Sequence, residues 1–364
     1  MAAIDSLESI DFDMSSSVDP PRAHVLTPLG ANGTERRVNR AGPLPRWIEP
    51  QLSKLAAKAP NGPHWIHEIK FDGYRMAARI EKGQVKLLTR SGLDWTAKYP
   101  AMTAAFAQLK VNTAYLDGEL CGVRPDGVTS FEIMQQVSDS GGGHLTYFAF
   151  DLLELNGEDV ARLPLVERKA RLAALLKKPP VGIAYSDHEG GDGEAFRKAA
   201  CKHGLEGIVS KRLDRPYLPG ERGTWIKNKC LNRAEFVIVG WSDPEGARPL
   251  VGALLLGYYE TDGRLIYAGR VGTGMPVKTL TMLHERLRPL AIKTMLLAQA
   301  PPRKQRFGGL ALSKVHWVRP ELVAEITYLS WEDDGLLRHT VFLGLREDKP
   351  AREVRREAPH PLRD

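Results

Sequence analysis

Residues 67–75 read His-Glu-Ile-Lys-Phe-Asp-Gly-Tyr-Arg, and this stretch contains the pattern K-x-D-G-x-R. Lys70 stands among apolar and aromatic residues, with Glu68 and Asp72 two positions to either side and Arg75 five positions on. Apolar neighbours and nearby cations favour the uncharged amine of a lysine, and nearby carboxylates can bind a metal or a ribose. A lone lysine is usually a solvated charge. From this stretch alone, Lys70 could equally be a nucleophile or an ordinary surface lysine.

Six further short motifs follow this stretch in chain order. They are Thr-Arg-Ser-Gly at 89–92, Leu-Asp-Gly-Glu-Leu at 116–120, Phe-Ala-Phe-Asp-Leu-Leu at 148–153, Glu-Gly-Ile-Val-Ser-Lys at 206–211, Trp-Ile-Lys-Asn-Lys at 225–229 and Arg-Glu-Asp-Lys at 346–349. Each has an ordinary structural explanation by itself, since a single phenylalanine is usually a core residue and a carboxylate is usually on the surface. The ordered set resembles the motifs of the nucleotidyltransferase superfamily that contains the ATP-dependent DNA ligases and the mRNA capping enzymes.

The resemblance implies an α+β fold. It implies a nucleotidyltransferase domain (the ATP-grasp-like adenylation domain of ligases) followed by an OB-fold β-barrel domain. A chain of 364 residues has room for two domains of about 100–200 residues each. We predict a flexible N-terminal tail over 1–44, the adenylation domain over 45–232, the OB-fold domain over 233–350 and a C-terminal tail over 351–364.

The resemblance also implies roles for individual residues. Lys70 would attack the α-phosphate of ATP and hold the nucleotide as a phosphoramidate, and Phe150 would stack on the purine. Glu119 and Glu206 would supply the hard oxygen ligands that Mg²⁺ prefers, with Mn²⁺ as the alternative metal. The predicted ATP-binding residues are Glu68, Lys70, Arg75, Arg90, Glu119, Phe150, Lys227, Lys229, Arg346 and Lys349.

Two arginines are predicted to hold the 5′-phosphate at a DNA nick. These are Arg75 and Arg90, because planar guanidinium groups suit phosphate oxygens. Lys227 and Lys229 alternate along a predicted strand, so both face the same side. That arrangement fits a grip on the α-phosphate, as the resemblance implies, and it also fits a solvated strand edge.

The last motif implies movement. Arg346 and Lys349 lie in the predicted second domain, and the resemblance gives them the departing pyrophosphate as a ligand. They can reach it only if the second domain closes over the nucleotide. This predicts a hinge near 230–235 that is closed for adenylation and reoriented when DNA is bound.

Several strings resemble a narrower group, the ligase modules of bacterial non-homologous end joining. These are 67–75, Tyr-Leu-Pro-Gly at 217–220 and Phe-Leu-Gly-Leu-Arg-Glu-Asp-Lys-Pro at 342–350. The resemblance implies an ATP-dependent DNA ligase in a stand-alone minimal form, sealing nicks or ends in duplex DNA during repair. It leaves open whether a Ku-like end-binding protein recruits the chain. The alternatives are an RNA ligase or RNA-capping guanylyltransferase, and a nick- or end-binding protein without catalysis.

Composition sets broader limits. The net charge of +7 suits an anionic partner such as DNA without requiring one. No apolar stretch approaches the ~20 residues of a membrane span, and the N-terminus lacks a signal-peptide pattern. Cys121, Cys201 and Cys230 are scattered, which argues against a disulfide framework and a zinc site. We predict a soluble monomer in the cytoplasm, at the bacterial nucleoid.

Hydrophobic periodicity predicts the main elements. Helices are predicted over 49–58, 165–177, 193–203 and 276–290. In the helix over 165–177 the leucines would face the core and the basic residues would face solvent. Residues 350–364 are charged and contain proline, which indicates a mobile tail. Strands are predicted over 65–70, 74–81, 84–89, 115–123, 145–155, 206–212, 224–229, 236–241, 252–260 and 264–270, and again between 314 and 342.

Overall fold

The structure is a computed structural model. It describes residues 42–140, 145–244, 249–302, 312–332 and 334–357, with the backbone alone at 138–140. These residues all fall within one compact unit, Asn39–Asp364. Of the tail predicted over 1–44, only the last three residues lie in the described part, and Leu44 among them is buried. We call 42–232 the N-terminal region and 233–357 the C-terminal region.

Two sheets and four α-helices form the N-terminal region. Its strands are β1 (Leu52–Leu55), β2 (Trp65–Ile69), β3 (Tyr74–Glu81), β4 (Gln84–Thr89), β5 (Thr113–Val123), β6 (Thr129–Ser130), β7 (Leu145–Leu155), β8 (Glu158–Asp159), β9 (Ile183–Tyr185), β10 (Glu189–Gly190), β11 (Gly207–Arg212) and β12 (Arg222–Lys229). Its helices are α1 (Pro100–Phe106), α2 (Phe131–Ser140), α3 (Leu165–Leu175) and α4 (Gly193–Lys202), with a 3₁₀ turn at Thr96–Lys98. One sheet has the order β1-β12-β11-β2-β10, and the other has the order β4-β3-β5-β7-β8 with β6 beside β5 and β9 beside β7.

Strand register brings the motifs together. Arg75 on β3 lies opposite Glu119 on β5. Glu119 in turn lies opposite Phe148 on β7. The backbone N–H of Lys70 donates to the carbonyl of Gly207 at 2.9 Å, which ties the end of β2 to the start of β11. Motifs that are up to 137 residues apart in the sequence therefore meet on neighbouring strands.

The alternation of buried and half-buried residues along β3 explains how this strand contributes to the core of the N-terminal region. Along β3 every second residue is buried, beginning at Tyr74, and the residues between them are half-buried. A strand directs successive side chains to opposite faces, so one face of β3 lies in the core. Helix α3 covers the same core through Leu172, which is fully buried.

The C-terminal region is built on one seven-stranded sheet. Its strands are β13 (Arg233–Ser242), β14 (Leu254–Tyr259), β15 (Leu265–Val271), β16 (Ala291–Ile292), β17 (Val315–Val318), β18 (Val323–Thr327) and β21 (Val341–Leu345), and β19 (Ser330–Trp331) with β20 (Leu337–Arg338) forms a separate hairpin. Helix α5 (Val277–Leu287) continues into a 3₁₀ turn at Arg288–Leu290. The long strand β13 pairs with β14 on one side and with both β17 and β18 on the other. A separate hydrophobic core lies within this region.

The helix predicted over 49–58 is wrong, because the chain forms β1 there. Leu55 of β1 lies opposite Lys227 of β12 in a parallel pair. The predicted helix would be less than three turns long, and short helices gain little from local bonds alone. Pairing with β12 therefore decides the conformation. Helices α1 and α2 were not predicted.

The helix over 165–177 is present as α3, but its basic face is not all solvated. Arg168 is fully buried and binds both carboxylate oxygens of Asp151, with Nε–Oδ1 at 2.7 Å and Nη2–Oδ2 at 2.9 Å. Lys169 is also buried and binds Glu68 at 3.0 Å. The prediction of a solvated basic face is wrong for these two residues. A cation can face inward when a carboxylate there neutralises it.

Two other expectations differ from the structure. Cys201 and Cys230 form a disulfide, so the sequence argument against disulfides is wrong for this pair. The end of α4 and the residue after β12 meet only in the folded chain, and cysteine spacing does not reveal such a pairing. The tail predicted to be mobile forms a 3₁₀ turn at Ala351–Glu353, and Val354 is fully buried in the core of the C-terminal region. Over the described ranges no helix combines the length and apolarity needed to cross a membrane.

Candidate active site

Lys70 projects toward a carboxylate at the start of β11. Its ammonium donates to Oε2 of Glu206 at 2.6 Å, and the two side chains are 24% and 9% exposed. The turn that follows requires glycine, since a Cβ on Gly73 would lie 2.2 Å from the carbonyl oxygen of Leu120. Close contact of the K-x-D-G backbone with β5 and β11 therefore fixes where the Lys70 amine lies.

Acidic side chains surround this amine. Burial raises the pKa of Glu119 to about 8, although the charges of Lys70 and Arg346 oppose the shift. Burial also raises the pKa of Asp72, and the neighbouring Glu206 adds to that shift. Burial outweighs the opposing charge of Arg233 at Asp72 and of Lys70 at Glu119. A bound divalent cation would favour the charged forms of these carboxylates.

Glu119 and Glu206 could supply two ligands of a metal. Within the described ranges no three His, Cys, Asp or Glu side chains are arranged to hold a metal ion. Mg²⁺ commonly takes only one or two protein carboxylates and completes its coordination with water and substrate phosphates. The chemistry of this pair fits that kind of site.

Glu68, predicted to bind ATP, is the centre of a buried ion cluster. Its Oε1 accepts from Lys169 at 3.0 Å, and its Oε2 accepts from Lys211 at 2.9 Å and from the Ser186 hydroxyl at 2.8 Å. Burial disfavours its charged form, but the two ammonium groups outweigh this and lower the pKa of Glu68. Both oxygens of Glu68 are therefore occupied by protein groups.

The two arginines predicted to hold the 5′-phosphate differ in accessibility. Arg75 binds both oxygens of Asp117, at 3.1 and 2.6 Å, and donates to the carbonyl of Gln51 at 2.6 Å. Arg90 makes a longer ion pair with Glu235, at 3.5 Å, and its side chain is 27% exposed. Both arginines line one small cavity. Arg90 is the one whose guanidinium is more available to a ligand.

The motif at 148–153, which we call the aromatic element, lies on β7 and carries two phenylalanines on one face. Phe150, the predicted purine contact, is 9% exposed and packs edge-on against Trp225. The ammonium of Lys211 lies 4.3 Å from the centre of the Phe150 ring. Phe148, two residues earlier, is half-buried and stacks on Phe71, next to Lys70, with ring centres 4.2 Å apart. The more accessible ring of the motif is thus Phe148.

Lys227 and Lys229 lie side by side, as their spacing predicts, and share one anionic partner. That partner is Glu357, whose Oε1 accepts from Lys227 at 2.5 Å and whose Oε2 accepts from Lys229 at 2.7 Å. Burial lowers the pKa of Lys227 to about 8. The lysines are only 14% and 15% exposed. They form a site for an anion, and a side chain of the same protein occupies it.

The R-x-D-K motif of the C-terminal region lies against the N-terminal region. The carbonyl of Leu345 accepts from the Gln135 amide at 2.6 Å, and the carbonyl of Asp348 accepts from the Ser91 hydroxyl at 2.9 Å. The guanidinium of Arg346 lies 5.4 Å from the centre of the Tyr74 ring. The positive charge of Arg346 acts to lower the pKa of Glu119, against the larger effect of burial.

The two cations of this motif are held by three acids, and two of these, Glu325 and Glu235, are not among the predicted site residues. Arg346 binds Asp348 and Glu325, with three contacts at 2.8 Å. Lys349 binds Glu235, which also accepts from Arg90. Glu235 lies on β13 and Glu325 lies on β18, outside every motif, so no spacing rule marks them. Asp348, in contrast, belongs to the R-x-D-K motif itself.

Comparison with known proteins identifies relatives along most of the chain. A family model for the ATP dependent DNA ligase domain matches residues 50–229, and one for the ATP dependent DNA ligase C terminal region matches residues 247–349. The multifunctional non-homologous end joining protein LigD of Pseudomonas aeruginosa is 41% identical over 344 residues, which are 93% of this chain and 40% of that protein. A probable DNA ligase of Streptomyces coelicolor is 31% identical over 361 residues, covering 90% of this chain and 66% of that protein.

Solved structures agree with this result. A mycobacterial DNA ligase D, determined in complex with ATP and MES, is 34% identical with a TM-score of 0.63, and the match covers 85% of this chain and 98% of that one. The chain spans about two fifths of the length of the LigD proteins that it matches. The matches confirm the predicted resemblance and the predicted fold class, an adenylation domain followed by an OB-fold domain.

Proposed function

Because the chain belongs to the ATP-dependent DNA ligase family, we propose that it seals nicks or ends in duplex DNA through a covalent AMP adduct of Lys70. One observation carries this proposal. The Lys70 amine contacts Glu206 at 2.6 Å, while Arg346 from the C-terminal region lies 5.4 Å from the centre of the Tyr74 ring of the N-terminal region. The nucleophile thus contacts a carboxylate from another motif, and a cation from the C-terminal region reaches the N-terminal region.

The reaction has three steps. The Lys70 amine attacks the α-phosphorus of ATP; the N–P bond forms, the bond to the β-phosphate oxygen breaks, and pyrophosphate leaves as the amine loses a proton. A 5′-phosphate oxygen of the DNA then displaces the lysine from phosphorus, and the amine regains a proton. Finally the 3′-hydroxyl oxygen attacks the 5′-phosphorus, loses its proton and releases AMP.

Positive charge near the α-phosphate would do most of the catalytic work. Lys227 and Lys229 would grip that phosphate in place of the carboxylate they now hold. Glu119 and Glu206 would hold Mg²⁺ or Mn²⁺, which neutralises phosphate charge. The raised pKa of Glu119, about 8 because of burial, supports a role for this carboxylate beside a cation.

The nucleotide base would pack on the aromatic element of β7. Phe150 is the predicted contact, and the half-buried Phe148 extends the same face. Glu68 would act indirectly, since its carboxylate is saturated by Lys169 and Lys211. Its role would be to stabilise the strands that form the site.

Pyrophosphate would meet the cations of the C-terminal region. Arg346 and Lys349 lie on that region and contact acids rather than phosphates in the present arrangement. Closure of this region over ATP would give them phosphate oxygens, and its reorientation would open the site to DNA. Arg90, with Arg75 behind it, would then hold the 5′-phosphate.

The relatives suggest the biological setting. Relatives that are 41% and 37% identical to this chain are named as multifunctional non-homologous end joining proteins. The chain would therefore act in repair of broken DNA, as a monomer at the bacterial nucleoid in the cytoplasm, with a Ku-like end-binding protein as its recruiter. Its net charge of +7 suits the DNA substrate.

Labelling with ATP tests the proposal. The purified protein is incubated with Mg²⁺ and ATP labelled at the α-phosphate, and a nicked duplex is then added. Wild type should take a covalent label and pass it to DNA as the nick is sealed. Lys70→Ala should take none, whereas Lys58→Ala, a change at an exposed lysine, should behave as wild type.

Other results would decide against DNA ligation. Label that discharges only on duplexes with RNA at the nick would indicate an RNA ligase. Label from GTP but not ATP would indicate a capping-type guanylyltransferase. Absence of label together with tight binding to nicked DNA would indicate a nick-binding protein.

A further inference from the structure

A buried arginine links the two regions beside Lys70. Arg233 is the first residue of β13 and its side chain is 6% exposed. Its Nη1 lies 2.6 Å from Oδ2 of Asp72, in the K-x-D-G motif, and its Nε donates to Oε1 of Glu325, on β18, at 2.9 Å. One guanidinium thus binds a carboxylate from each region.

Glu325 continues this link to the R-x-D-K motif. Its other oxygen, Oε2, accepts from Nη1 of Arg346 at 2.8 Å. The side chain is only 6% exposed. The contacts therefore run without a break from Asp72 through Arg233 and Glu325 to Arg346, and they join the motif that carries the nucleophile to the motif that faces the pyrophosphate.

Aromatic rings fix the direction of the two arginines. The guanidinium of Arg233 lies 5.4 Å from the centre of the Phe131 ring, and that of Arg346 lies 5.0 Å from the same centre. Glu325 bridges the two cations, while Asp72 pairs with Arg233 and Asp348 pairs with Arg346. Loss of the Glu325 charge would therefore remove the one carboxylate that the two arginines share, and a buried charge that loses a partner is disfavoured.

We infer that Glu325 and Arg233 are positioning residues for the adenylation step, and that they hold Arg346 where it meets the pyrophosphate of ATP. This inference rests on the proposed function. It predicts that substitution of Glu325 affects adenylation of Lys70 and sealing of the nick to different extents. Arg346 serves closure over ATP, so loss of Glu325 should slow formation of the AMP–Lys70 adduct. Joining of a nick that already carries AMP does not involve pyrophosphate, so that step should not need Glu325.

Glu325→Gln is the decisive variant, because it keeps the shape of the side chain and removes its charge. Adduct formation is followed in single-turnover reactions with labelled ATP, and sealing is followed separately on a synthetic nick that carries 5′-AMP. We expect adduct formation to slow by about 10- to 100-fold, the effect of weakening hydrogen bonds between charged groups. Sealing of the pre-adenylated nick should change by less than about threefold.

Two further variants sharpen the result. Glu321→Gln is the matched control, because Glu321 lies just before the same strand, is 56% exposed and binds only Arg319 among the described residues. It should leave both steps unchanged. Arg233→Lys keeps the charge but cannot bind Asp72 and Glu325 through a planar group, so it should show the same split as Glu325→Gln. A thermal unfolding curve for each variant identifies any that fails to fold.

Three outcomes overturn the inference. Unchanged adduct formation in Glu325→Gln would show that Arg346 does not need this partner. Equal slowing of both steps would make Glu325 an ordinary structural residue. If Glu325→Gln does not fold, Arg233→Lys alone decides, and its failure to show the split overturns the inference. Absence of label in wild type would instead refute the proposed function, so the two failures are distinct.

Discussion

Two arginine–aspartate pairs in this molecule have almost the same local geometry and opposite surroundings. Arg168 and Asp151 pair through Nε and Nη2 at 2.7 and 2.9 Å, and Arg346 and Asp348 pair through the same nitrogens at 2.8 Å. The first pair is fully buried within the N-terminal region. The second lies where the two regions meet, and its arginine is 10% exposed.

The remaining contacts of each arginine explain the difference. Arg168 gives its other bonds to the carbonyls of Leu163 and Arg215, which belong to the same region. Arg346 reaches Glu325 and lies over rings of the N-terminal region. The first pair therefore holds the fold of the N-terminal region together, whereas the proposed function requires the second pair to be exchanged for contacts with a nucleotide.

Arg168→Met should give the largest loss of stability. It leaves the fully buried carboxylate of Asp151 without its cation. We expect a loss of about 3–5 kcal/mol in the free energy of unfolding, measured with urea. The matched control is Arg171→Met on the same helix, because Arg171 pairs with Glu158 at 33% and 31% exposure and should contribute only about 0–1 kcal/mol. Similar losses in the two variants would remove the distinction on which the comparison depends.

Arg346→Met should separate activity from stability. Asp348 also loses its cation, but the C-terminal region can move away and let water reach the carboxylate. The loss of stability should therefore be about 1 kcal/mol, well below that of Arg168→Met. Formation of the AMP–Lys70 adduct should slow by about 10²- to 10³-fold, as for removal of a charge-stabilising donor. A loss of stability as large as that of Arg168→Met would mean that the contact between the regions does not open.

The sequence predicts these two pairs unequally well. The R-x-D-K pattern predicts that Arg346 is functional, because its residue types and order resemble a known motif. The same reasoning assigns Arg168 to a solvated helix face, since periodicity sorts residues by polarity and cannot see that Asp151 faces it from inside. Short local patterns identify groups that act on a ligand. They do not identify the partners of those groups, such as Glu325, because those partners are set by strand register.

Local propensity fails at the chain segments that depend on distant pairing. The stretch over 49–58 has the composition of a helix, yet β12 draws part of it into a parallel pair. The disulfide between Cys201 and Cys230 has the same origin. Strands β3, β4 and β7 were predicted to the residue, because their alternation and turns are local. The domain boundary at 232 and 233 stays a prediction.

Glu357 differs from both arginine–aspartate pairs, because it is an acidic side chain that binds two lysines. It is 29% exposed and binds both Lys227 and Lys229, the lysines proposed to grip the α-phosphate. If it must leave before ATP binds, it competes with the substrate. Glu357→Gln should then raise the rate of adduct formation about fivefold at low ATP, which corresponds to about 1 kcal/mol for a partly buried ion pair. The rate at saturating ATP should not change.

Glu353→Gln is the control for this effect, because Glu353 lies in the same segment, is exposed, and can report any general influence of charge there. It should leave the ATP dependence of adduct formation as in wild type. A slower reaction in Glu357→Gln would reverse the argument. Glu357 would then keep the two like-charged lysines in place for the phosphate, and it would resemble the fixed Arg168–Asp151 pair rather than the exchangeable contacts of Arg346.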